Sequence, residues 1–123
     1  MRPRSLLTVL LIATTFLLLS PDRLVAHAII VESTPEVNGV VAGPLLEIKL
    51  RFNARLDWSR SKLTLISADG TSRAISLSLP TSPDSISAKV GNLVPGKYQL
   101  HWQVLAIDGH ITRGEIPFRV VIP

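Results

Sequence analysis

Asp108, Gly109 and His110 are the residues of this 123-residue chain whose types and spacing point most directly to chemistry. A carboxylate and an imidazole two positions apart leave extended chain on the same side. The glycine between them permits a turn that draws them closer. A hard oxygen beside a borderline nitrogen in one small space suits a divalent metal. Two ligands do not make a tight site. The third is expected at an unusual place, His27, provided that the chain is cut after Ala26.

The cut is predicted by the first residues. Arg2 and Arg4 form a positive start, Leu6 to Leu19 an apolar run, and Leu24-Val25-Ala26 a small-residue cleavage point. That is the pattern of a secretory signal peptide over residues 1–26. The run is shorter than the ~20 residues of a spanning helix, and Pro21 follows it closely. A soluble exported domain, residues 27–123, is therefore expected. Ala26-His27-Ala28 is itself an A-x-A pattern, so a cut after Ala28, which discards the histidine, stays open.

A chain that starts at His27 offers a free α-amine and an imidazole to one metal. The amine's unperturbed pKa of ~7.7–8 lets a metal displace its proton near neutral pH. With Asp108 and His110 the set is three nitrogens and one oxygen, which matches tetragonal Cu(II). Cysteine is absent, and the only methionine is Met1. Thiolate zinc, iron–sulfur and blue-copper sites are thereby excluded, and so are Met-rich Cu(I) sites. Setting aside Arg2, Arg4, Arg23 and Asp22 leaves ten basic and eight acidic residues. That balance, with no Lys/Arg cluster, is no nucleic-acid footprint.

The elements that must position these ligands read as strands. Tyr98, Leu100, Trp102 and Val104 alternate with Gln99, His101 and Gln103 and lead into Asp108. Ile48, Leu50 and Phe52 alternate with Glu47, Lys49 and Arg51. Lys62 to Ser67 and Arg73 to Leu79 form a hairpin about the turn Asp69-Gly70. Ala28 to Val31 is a short strand, and Ser33 to Gly39 a loop. Ile86, Ala88 and Val90 mark another strand, and Ile116, Phe118, Val120 and Ile122 an inward row that closes the chain. About seven short strands with regular turn signals predict an antiparallel β-sandwich. His101, on the polar side of its strand, is expected to be solvated, and Glu32 and Glu36 are secondary candidates near the N-terminus.

Taken together these residues resemble the CopC family of periplasmic copper-binding proteins. The resemblance rests on His27-Ala28 after a signal peptide, Ser33-x-Pro35-x-x-x-Gly39, and Pro44 through Ile48-x-Leu50-x-Phe52. It continues through Pro95-Gly96-x-Tyr98-x-Leu100-x-Trp102-x-Val104, Asp108-Gly109-His110 and Phe118-x-Val120. It implies an immunoglobulin-like, seven-stranded Greek-key sandwich. It also implies one Cu(II) per chain, held by the amine and imidazole of His27 with Asp108 and His110. A role in copper homeostasis or resistance follows, with a CopD-type partner in the inner membrane, and the chain is expected to act as a monomer rather than as an enzyme. Some members carry a glutamate after the Phe of the early strand; here Asn53-Ala54-Arg55 follows Phe52. The lack of a Met-rich segment resembles the subgroup with a single Cu(II). Two other readings start from the same residues: a histidine-brace copper monooxygenase acting on polysaccharide, and a metal-free immunoglobulin-like interaction module.

Overall fold

Alternation of apolar and polar residues builds the frame of this protein. A computed structural model describes residues 28–122. The predicted signal peptide and His27 lie outside the described residues. Eight strands run in the order β1 (Ile30–Thr34), β2 (Gly39–Ala42), β3 (Leu46–Phe52), β4 (Lys62–Ser67), β5 (Ser72–Ile75), β6 (Ser85–Val90), β7 (Gly96–Leu105) and β8 (Ile111–Val121). One sheet has the order β1-β3-β6 and the other β2-β8-β7-β4-β5. Neighbours pair antiparallel, except β2, which runs parallel to β8. The result is an immunoglobulin-like β-sandwich. No helix among the described residues is long and apolar enough to cross a membrane.

Each predicted inward row on β3, β6 and β7 is buried. Leu46, Ile48, Leu50 and Phe52 of β3 face Tyr98, Leu100, Trp102 and Val104 of β7 across one core. Their polar alternates point outward, because successive side chains of a strand leave on opposite faces. The Phe52 and Trp102 rings meet edge to face at 5.1 Å, a favoured arrangement of ring quadrupoles. The Tyr98 hydroxyl donates to the Val94 carbonyl four residues upstream at 2.7 Å. This satisfies its one polar atom and fixes the turn into β7, as in the tyrosine corner of immunoglobulin-like domains.

Four expectations need correction. Among the described residues the sandwich has eight strands, not seven. The eighth, β2, has only four residues between Asn38 and Gly43, too few for an alternation to declare itself, and Val40 on it is exposed. The first strand runs from Ile30 to Thr34 and not from Ala28, because Ala28 and Ile29 are held by the Thr112 and Asn53 side chains and one isolated backbone bond instead of a continuous ladder. The partner of β4 ends at Ile75, short of Leu79. Beyond it the chain turns toward the other sheet, where the Ser78 amide donates to the Ser87 carbonyl at 2.8 Å. Finally, Ile122 is not inward; β8 ends at Val121 and Ile122 is exposed.

Candidate metal centre

The candidate site grows from the tip of the longest hairpin. Strands β7 and β8 pair from Gly96–Val120 up to Leu105–Ile111, and Ala106 to His110 join them. Gly109 sits at φ +93°, a left-handed conformation that glycine adopts without a steric penalty. The Gly109 amide donates to the Ala106 carbonyl at 2.9 Å, and the Ala106 amide to the His110 carbonyl at 2.9 Å. Two further bonds tie the tip to the connection after β3. The Ile107 amide donates to the Arg55 carbonyl at 3.1 Å, and the Asp57 amide to the Leu105 carbonyl at 2.7 Å.

Within this loop Asp108 and His110 come together as their spacing predicts. Asp108 Oδ1 accepts the His110 backbone N–H at 3.1 Å and lies 3.1 Å from His110 Nδ1. This is the local turn that aspartate favours, its side chain bonding the backbone two residues on. The His110 backbone N–H, and then its side chain, hold the Asp108 carboxyl below the ordinary carboxylate range. Both side chains are about half exposed, so an ion reaches them from solvent. No group of three or more His, Asp or Glu suited to a metal occurs among the described residues.

The other candidates are elsewhere or occupied. His101 lies on the outer face of its sheet, where Nε2 is 3.1 Å from Gln99 Oε1 and 3.7 Å from Glu115 Oε1. Glu32 is bound to Arg51 at 2.6 Å. The Glu36 carbonyl accepts the Gly39 amide in the turn before β2, and its side chain is exposed. Asp69 closes the β4–β5 hairpin by accepting the Thr71 amide at 2.9 Å.

Two residues emerge that the sequence reading passed over. Thr112 Oγ1 accepts the Ala28 amide at 3.3 Å. Asn53 Oδ1 accepts the Ile29 backbone N–H at 2.8 Å, while the Asn53 backbone N–H donates to the Ile29 carbonyl at 3.0 Å. The described chain therefore begins beside Thr112 of β8, which follows His110 by two residues in sequence. Extending the inward row of β8 upstream from Ile116 reaches Gly114 and then Thr112. A polar residue at an inward position was the available signal.

Fold and loop define an immunoglobulin-like β-sandwich with a carboxylate–imidazole pair at one end. The chain belongs to the CopC family: the CopC domain profile matches residues 30–121. Among solved structures it is similar to CopC from Methylosinus trichosporium OB3b. There the TM-score is 0.66 and the identity 25%, over 76% of this chain and 93% of that one. It is also similar in fold to PcoC, a methionine-rich copper resistance protein from Escherichia coli. That match has a TM-score of 0.64 and 22% identity, over 78% of this chain and 100% of that one. No curated protein matches the chain in sequence.

Proposed function

We propose that this protein is a periplasmic copper-binding protein of copper homeostasis or resistance. It binds one Cu(II) as cargo through His27, Asp108 and His110, and acts as carrier, buffer or delivery protein rather than as an enzyme. The observation that carries this reading is the pairing of Asp108 and His110 at 3.1 Å, two residues before Thr112, whose hydroxyl accepts the Ala28 amide. His27 immediately precedes Ala28 in the sequence. Membership of the CopC family supports copper over other divalent metals, and so does the position of Cu(II) at the head of the affinity order on nitrogen and oxygen ligands.

The chemistry of the donors sets the oxidation state. Imidazole, amine and carboxylate suit Cu(II), and beyond Met1 the chain has no sulfur ligand for Cu(I). Delivery to a CopD-type inner-membrane protein is the corresponding partner step. The test is the intact mass of the exported protein with and without Cu(II). A chain that begins at His27 and gains one copper is the expected result. A chain that begins at Ile29, or that gains none, contradicts the proposal.

A further inference from the structure

The two side chains that hold the start of the described chain come from opposite sheets. Asn53 follows β3 and Thr112 lies on β8. Thr112 pairs with Val104 across the hairpin, and residues directly opposite in an antiparallel pair share a face. Val104 is fully buried, so Thr112 is an inward residue at the open end of the sandwich. A purely structural core position there would favour Val or Ile. The hydroxyl has a specific task instead. Ala28 is buried, and a buried backbone N–H needs a partner. Thr112 Oγ1 supplies it from a position 84 residues away in sequence. At the exposed Ile29 the Asn53 side-chain oxygen accepts the backbone N–H, and the Asn53 backbone N–H donates to the Ile29 carbonyl.

We propose that Thr112 and Asn53 are positioning residues for the metal centre: together they fix the backbone of Ala28 and Ile29, the residues that follow His27 in sequence. The inference rests on the Cu(II) reading above and extends it to residues that need not touch the metal. A chelating N-terminal residue is on a free chain end, and ordering that end costs conformational entropy at the moment of binding. Anchoring the next two residues removes part of that cost beforehand, the general advantage of preorganisation. The predicted consequence is kinetic. An anchored end holds copper longer because one ligand cannot swing away as easily.

The test compares the mature chain with Thr112→Val, Thr112→Ser and Asn53→Ala. Valine keeps the shape and removes the acceptor, whereas serine keeps the acceptor. In the metal-free protein, amide exchange at Ala28 should quicken about tenfold in Thr112→Val, the scale of one lost hydrogen bond. Release of Cu(II) to excess EDTA should quicken ~10–100-fold, the range seen when a supporting partner of a metal ligand is lost. Thr112→Ser should restore both, and Asn53→Ala should quicken exchange at Ile29 together with copper release. Thermal melts of the metal-free variants check that the sandwich persists. Wild-type copper release unchanged in Thr112→Val and Asn53→Ala would overturn the positioning role alone. Failure of the wild-type chain to take up Cu(II) would overturn the copper reading, and this inference with it.

Discussion

Strand β7 and the loop that follows it belong to one hairpin but answer to different physics. Along β7, Leu100 and Val104 are fully enclosed, and Trp102 fills the space between Phe52 and Gly114. A few residues later Asp108 and His110 stand half exposed, held by each other and by the Gly109 turn. The stem stores stability in apolar area removed from water. The tip contributes little to the core, which frees its residue types to be set by chemistry. Loops on a rigid scaffold commonly carry function for this reason. Substitutions of the inward residues of the stem should therefore change the fold and copper together, whereas those at the tip should change copper alone.

The largest effect is expected from Trp102→Ala. Emptying a buried indole costs about 3–5 kcal/mol, a large share of the ~5–15 kcal/mol that holds a domain together. A thermal melt should show a strongly lowered midpoint, with copper binding lost only as the fold is lost. Gly114→Ala should come next. A Cβ there would collide with Trp102 Cζ2, so the indole must move. Overpacking of this kind costs about 1–3 kcal/mol, read again as a lowered melt. The two variants sharpen the contrast, one by emptying the stem and the other by crowding it.

His110→Ala should separate the two regions. Its melt should stay near wild type, because the side chain is half exposed, while Cu(II) affinity falls steeply in a titration. His101→Ala is the control on the same hairpin and should leave both melt and affinity unchanged, since His101 faces Gln99 and Glu115 on the outer sheet surface. A changed copper spectrum in His101→Ala with none in His110→Ala would break the comparison outright.

The smallest effect concerns pH. The Asp108 carboxyl is held below the ordinary carboxylate range by the His110 N–H and side chain. A depressed folded value means that its contribution to the loop is present above the unfolded carboxylate value. It is lost as pH falls through the lowered folded value. The pair is exposed, so the effect on overall stability should be slight. An NMR titration of the Asp108 carboxyl carbon should show a midpoint below that of an unpaired surface carboxylate.

How much of this was legible in the sequence depends on the range of the contact. Alternation identified β3, β6 and β7 with their inward rows, because burial on one face imposes period two on neighbouring residues, and the Asp69-Gly70 turn identified β4. The pairing of Asp108 with His110 was legible for the same reason: both partners lie within three residues, about a turn-forming glycine. Strand β2 was not, since four residues at a sheet edge carry too little pattern. The Thr112–Ala28 bond joins residues 84 apart, and nothing local in either segment announces the other. Gly114 likewise looked unremarkable until its pairing with Trp102 placed the indole over it. The proposed copper ligand His27 was read from the sequence and the family resemblance.

The most direct measurement is a Cu(II) titration followed by electron spin resonance on two chains. One begins at His27 and the other carries a single glycine ahead of it. The added residue leaves every side chain in place but removes the α-amine from the histidine. The account predicts one tetragonal spectrum with coupling to several nitrogens, complete at one equivalent, for the chain that begins at His27. It predicts an altered spectrum and much weaker binding for the extended chain. Identical spectra and affinities for the two would contradict it.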